Sequence, residues 1–182
     1  MIIGNNIILR EPKISDWLHI KHIWEDEETM KDVGGIHELT EEKYGQWYRH
    51  VMIEKNTENK YFLIFDKDQQ TCFGEVSFHR YDEIKKKAMF NIKVKAQYRN
   101  KGIGYEALDL ILDYYFNQWN GEIMEDTIWG NNPNGLQKLI NYGFREIRRD
   151  EEGIWIEIRK EKWKKKAKNR FNLNRRSSRL AG

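Results

Sequence analysis

Residues 88–94 alternate, with Ala88, Phe90, Ile92 and Val94 set against Met89, Asn91 and Lys93. This period of two predicts a strand with one buried face. Two upstream runs, 61–65 and 72–79, predict further strands, and the polar segments 66–70 and 82–87 join all three as an antiparallel meander. After residue 102 the period changes: Leu108, Ile111, Leu112, Tyr115 and Trp119 recur at helical spacing. Two more helices are predicted ahead of the meander. One follows Ser15, a candidate cap, and buries Trp17, Ile20, Ile23 and Trp24; the other follows Thr40 and buries Tyr44, Trp47, Tyr48 and Val51. Residues 2–10 predict a first strand with a kink at Gly4-Asn5-Asn6, and 123–129 a later one. Asn132 followed by Pro133 is an N-cap with proline at the first helical position, and Gly143 ends that helix. Residues 144–149 and 154–159 close the chain as a hairpin.

The chemistry concentrates where the strand ending at Val94 passes into the long helix, through Arg99-Asn100-Lys101-Gly102-Ile103-Gly104. Glycines allow close approach to a ligand, and the first N–H groups of a helix are unpaired and sit at the positive end of its dipole. Two basic residues add charge, so the junction suits a phosphate or pyrophosphate. Gly102 to Ala107 also fits a dinucleotide fingerprint, with Glu125 or Asp126 roughly twenty residues on. That fingerprint belongs to repeated strand–helix–strand units, whereas the chain upstream reads as short strands joined by tight turns.

The loop pattern R/Q-x-x-G-x-G/A, the Gly143-Phe144 pair and the order of elements resemble the GNAT superfamily of N-acetyltransferases over about residues 1–160. Within it, Ile7-Ile8-Leu9-Arg10 and the Asn132 to Phe144 segment resemble the ribosomal-protein N-terminal acetyltransferase branch. The resemblance implies an α+β fold with a mixed central sheet of about seven strands and helices on both faces. It also implies acetyl-CoA as cosubstrate, no metal, and direct acetyl transfer to a primary amine, either a small cationic amine or a peptide N-terminus. Cofactor contacts then fall on Val94, Arg99, Asn100, Lys101, Gly102, Ile103, Gly104 and Asn132. Val94 marks the strand that pairs with the pantetheine arm, and Arg99 or Lys101 reaches the 3′-phosphate. Gly135 stands where relatives often have serine. Leu139 stands where many relatives carry a tyrosine acid, which leaves Tyr142, one residue before Gly143, as the replacement candidate.

For the base, Glu75, Ser77 and His79 alternate along one strand and share a face. In relatives that strand borders the acceptor channel. Glu75 is nearest the strand centre, and His79 has the apter unperturbed pKa. Cys72 reads as a buried strand residue, and Glu106 as a charge suited to the first turn of a helix.

Charge is unevenly spread. Residues 160–182 hold ten Lys/Arg and one acid, a balance of +9, which leaves −6 of the total +3 for residues 1–159. An acidic body favours a cationic acceptor by steering. The basic end, 161–182, is expected to be a flexible tail outside the domain, too poor in apolar groups to offset its ordering entropy. A catalytically silent coenzyme-A-binding module with a nucleic-acid-binding tail is the alternative. Against it, the tail has little aromatic interleaving, so nucleic acid is not the expected partner. The resemblance leaves room for a homodimer. One cysteine excludes a disulfide framework. No apolar run is long enough to span a membrane, so a cytoplasmic protein is expected.

Overall fold

The computed structural model describes residues 1–129 and 132–165. The first run divides at Gly4 into β1 (Ile2–Ile3) and β2 (Ile7–Arg10). The Glu106 carboxylate holds this turn, accepting from Asn6 N at 2.7 Å and Asn6 Nδ2 at 3.0 Å. Then follow α1 (Trp17–Trp24), the short α2 (Glu27–Met30), and α3 (Glu41–Tyr48), which relaxes into a π-helical turn over Arg49–Glu54. The meander is β3 (Lys60–Asp66), β4 (Cys72–Asp82) and β5 (Lys87–Val94). Next come α4 (Ile103–Asp113), β6 (Ile123–Ile128), α5 (Pro133–Tyr142), β7 (Arg145–Asp150) and β8 (Gly153–Arg159).

All eight strands form one sheet in the order β1-β2-β3-β4-β5-β6-β8-β7, in which β5 and β6 are parallel and the other pairs antiparallel. The eighth strand, against about seven expected, comes from the division at Gly4. The predicted meander and closing hairpin are present. Alternation along β3 sends Phe62 and Ile64 into one core with α4 and α5, and Tyr61, Leu63 and Phe65 into a second with α1 and α3. Both faces are covered, which is why 61–65 is an unbroken apolar run.

Two expectations change. Ser15 does not cap the first helix. Asp16 does the polar work there, accepting from Lys13 N at 2.6 Å and Arg10 Nη1 at 2.8 Å. The boundary at residue 160 also moves. Trp163 is buried in the larger core, its ring 5.5 Å from that of Phe116, so the packed domain runs at least that far. The rest of the expected tail, residues 166–182, lies outside the described residues. Trp163→Ala is therefore expected to cost about 3 kcal/mol in chemical denaturation. A change below about 0.5 kcal/mol, typical of surface sites, would show that the indole adds nothing to the core.

Candidate active site

The parallel pair is short. β5 meets β6 only where residues 87–89 face 123–125, whereas β5 stays paired with β4 up to Val94 and β6 with β8 up to Ile128. The sheet therefore opens as a wedge after Met89 and Glu125, and residues 90–94 have no strand on that side. At the open end the chain turns through a short 3₁₀ segment (Ala96–Tyr98), Asn100 at φ 62° and Gly102 at φ 83°, and enters α4. Gly102 suits this left-handed position because it has no Cβ. It offers no side-chain cap, so the first N–H groups of α4 face outward without a partner in the helix. A Cβ on Gly104 would meet nothing nearer than Val94 Cγ2 at 3.6 Å. This space beside uncapped N–H groups fits a pyrophosphate. Gly104→Val is expected to fill it and abolish measurable acetyl-CoA binding by calorimetry while leaving the melting temperature nearly unchanged. Retained affinity would remove the pyrophosphate from this loop.

The flanking side chains divide. Lys101 lies 5.5 Å over the Tyr98 ring and is exposed, placed to meet a phosphate. Arg99 turns inward instead, donating to Val94 O at 3.2 Å and Thr29 O at 2.8 Å, with Asp32 at 3.6 Å. Its guanidinium ties the loop to α2. Asn100 Oδ1 accepts from Lys138 Nζ at 3.2 Å. Asn132 caps α5, its Oδ1 accepting from Gly135 N at 2.8 Å. A Cβ on Gly135 would lie 2.5 Å from that same amide, so the glycine leaves room for the inward-turned cap.

On the opposite face, β4 and β5 floor a cavity of about 360 Å³ walled by Trp24, Trp47 and Tyr61. Glu75, Ser77 and His79 share this face as expected, and the register sets Lys93, Asn91 and Met89 opposite them. Glu75 is 2% exposed and fully engaged. It accepts from Lys93 Nζ at 2.5 Å, from Trp24 Nε1 at 2.9 Å and from the Tyr61 hydroxyl. Burial, together with the Glu75 charge, pushes the Tyr61 hydroxyl well above its ordinary range, so it remains a donor. Burial pushes His79 down to about 4, with Arg80 and Lys93 adding to the effect. It is a neutral imidazole at neutral pH and a weaker base than its ordinary value suggests.

Tyr142 is not part of this group. It is buried in the core between α4 and α5, its hydroxyl donating to Asp109 Oδ1 at 2.5 Å and its ring stacked 6.0 Å from Tyr105. Cys72 is buried, and burial raises its thiol to about 11.

Sequence reading missed Lys93, Trp24 and Tyr61 as partners of Glu75. Lys93 had a signal, since it sits on the polar side of the 88–94 alternation. Asp126 was also missed as a titrating group. It lies on β6 one residue past the last pairing with β5, at the narrow end of the wedge. Burial raises its carboxyl to about 8, against the opposing pull of Thr127 N (2.8 Å) and Lys93. Its ordinary value is 3.8, so the folded chain holds a proton that the unfolded chain has lost between these limits. Its contribution to stability is full below pH 3.8 and falls as pH rises toward 8. Asp126→Asn removes that loss. Its melting temperature relative to the parent is expected to rise by several degrees between pH 5 and pH 8, and a constant difference would place the titration elsewhere.

The wedge, the uncapped helix at its mouth and the cavity on the far face have the shape to hold a pyrophosphate-bearing cosubstrate beside a second substrate. The family model for the GNAT acetyltransferase domain matches residues 6–165, and the chain belongs to that family as an acetyl-CoA-dependent N-acetyltransferase. A search of the curated proteins found no match. Among solved structures, spermidine N-acetyltransferase from Vibrio cholerae, in complex with CoA and spermine, superposes with TM-score 0.77 at 17% identity, over 87% of this chain and 98% of that one. An apo nucleotide-linked sugar GNAT superposes with TM-score 0.79 at 20% identity, over 96% of both chains. A GNAT-family acetyltransferase from Bacillus anthracis gives 0.70 at 19%, over 88% and 98%. At these identities the likeness is one of fold. Among the described residues no helix is long and apolar enough to cross a membrane.

Proposed function

We propose that this protein transfers acetyl from acetyl-CoA directly to the primary amine of a small molecule bound in the Glu75 cavity. The observation that carries this reading is the wedge between β5 and β6, open at the α4 N-terminus and adjoining the cavity. Acetyl-CoA supplies the activated acyl group. The N–H groups at Gly102, Ile103 and Gly104, with Lys101, bind its phosphates, and the free edge of residues 90–94 aligns the pantetheine. Arg99, Asn100 and Asn132 shape the loop and the helix that border the wedge.

Glu75 is the proton acceptor for the incoming ammonium. Its partners hold the carboxylate in one orientation, and the acceptor amine exchanges with Lys93 or Trp24 to reach it. Ser77 and Asn91 line the path. His79, neutral and partly buried, contributes hydrogen bonding rather than charge. Tyr142, tied to Asp109, orients α5 against α4, and the departing thiolate takes its proton from the acceptor or from water.

An amine acceptor is supported by the likeness to spermidine N-acetyltransferase. A peptide N-terminus is the second reading, favoured by the segment from Asn132 to Phe144, which resembles the ribosomal-protein branch. Thiol release from acetyl-CoA, measured with small amines and with a free-amino peptide, separates the two. Absence of coenzyme A binding at millimolar concentration would end both.

A further inference from the structure

We infer that the acceptor carries an anionic group, a phosphate or a carboxylate, which Arg80 binds at the end of the cavity remote from Glu75. This rests on the acetyltransferase reading above and names the class of molecule that the site takes.

The first observation is the charge of the cavity. The body of the chain is acidic, yet the cavity is lined by Lys55, Lys60, Arg80 and Lys93 against only Glu58 and Glu75. Three of the four cations are matched to acids: Lys55 to Glu58 at 2.7 Å, Lys60 to Glu11 at 3.1 Å and Lys93 to Glu75 at 2.5 Å. Arg80 is different. It is exposed where it lines the cavity, and among the described residues no acid pairs with its guanidinium. A planar fork of donors in a cavity wall, left without a carboxylate, matches the geometry of a phosphate or carboxylate on a ligand.

The second observation is backbone strain. The register of β4 against β5 jumps between His79↔Met89 and Asp82↔Lys87, and Arg80 sits in this bulge at φ 56°. Arginine has no local reason to adopt a left-handed conformation. Such conformations persist where the surroundings enforce them, and bulges re-aim side chains beside binding sites. Here the bulge is clamped from the β3 side: Arg80 N donates to Asn59 Oδ1 at 3.1 Å and Tyr81 N to Glu58 O at 3.0 Å.

Placement then gives the acceptor its shape. Five steps along the strand take the chain from Glu75 to Arg80, roughly 16 Å, so one α-amino acid does not span both. Trp24, Trp47 and Tyr61 wall the cavity and suit an apolar or ring-shaped body. An acceptor with an amine at one end and an anion at the other satisfies both ends. A polyamine brings a second ammonium toward Arg80, a like-charge contact.

The test is a matched series of acceptors on an eight-carbon chain: octylamine, ω-aminooctanoate, ω-aminooctyl phosphate and the α,ω-diamine. They differ only at the distal end, and the carboxylate and phosphate arms identify which anion is preferred. With the parent enzyme, kcat/KM for at least one anionic acceptor is expected to exceed that for octylamine by about ten-fold or more, as for a charge-assisted hydrogen bond. The preference should weaken with added salt. Arg80→Gln is expected to abolish it, chiefly through KM, and Arg80→Lys to retain part of it. Arg80→Gly tests the strain, because glycine accepts φ 56° freely. Its melting temperature should equal or exceed the parent's while the anion preference disappears. Equal use of octylamine and both anionic acceptors, faster use of the diamine, or an unchanged preference in Arg80→Gln each overturns the inference and leaves the acetyltransferase reading standing. No transfer to any of the four, with no coenzyme A binding by calorimetry, overturns both together.

Discussion

Glu75→Gln is expected to lower kcat by about 10²–10⁴-fold, the usual worth of a positioned proton acceptor, with acetyl-CoA affinity held. The substitution keeps the size of the side chain but replaces one acceptor oxygen with an NH₂ group. All the present partners of Glu75 are donors, Lys93, Trp24 and Tyr61. The new amide therefore sets donor against donor and leaves the Lys93 ammonium without its counter-charge in a buried site. The melting temperature should fall as well, so kcat is to be compared well below both transitions. A large loss of kcat with coenzyme A binding intact is the signature of a catalytic role. Parent-like turnover would move proton acceptance to water, since His79, held down to about 4, is a poor substitute.

Gly74→Ala is expected to be the most damaging single substitution for the fold, at about 4 kcal/mol or more, in the exceptional range for one residue. A Cβ at this position would lie 2.0 Å from Lys93 O and 2.9 Å from Val94 Cα. Both are backbone atoms of the neighbouring strand, so no side chain can turn away. Relief requires β4 and β5 to part at the place where Glu75 meets Lys93, beside the proposed cosubstrate wedge. Loss of coenzyme A binding should accompany the loss of stability. An alanine variant with parent-like urea midpoint and coenzyme A affinity would mean that the two strands are not in this close contact.

The periodicity of the chain was enough to place most elements. The alternation at 88–94, the helical spacing after Gly102 and the Asn132-Pro133 start all reflect local rules: one face of each element must be buried, and each helix end must find partners for its N–H groups. The strand-to-helix junction at 99–104 was legible for the same reason, being built from backbone over six consecutive residues. Two short-range details were not: Asp16 rather than Ser15 serves the first helix, and α2 is a single turn with little periodicity. The turn expected at Gly4-Asn5-Asn6 is present, and Glu106, a hundred residues away, holds it.

What the tertiary structure alone decided is how side chains from different elements meet. Glu75 and Lys93 form a pair because the register of β4 on β5 sets them opposite each other; alternation fixes only the face each residue takes, and the turn between the strands contributes the rest. Trp24 reads as one more aromatic on a buried helix face, and only the crossing of α1 over β4 turns its Nε1 onto the Glu75 carboxylate. Arg99 reads as a phosphate ligand, yet α2 passes close enough for Thr29 O to take its guanidinium. Trp163 lies within a basic segment that composition alone assigns to solvent, and the ring of Phe116 gives it a buried place. Local sequence determines which groups an element can offer. The packing of one element on another, through long-range contacts of specific shape, determines which of those groups the site uses.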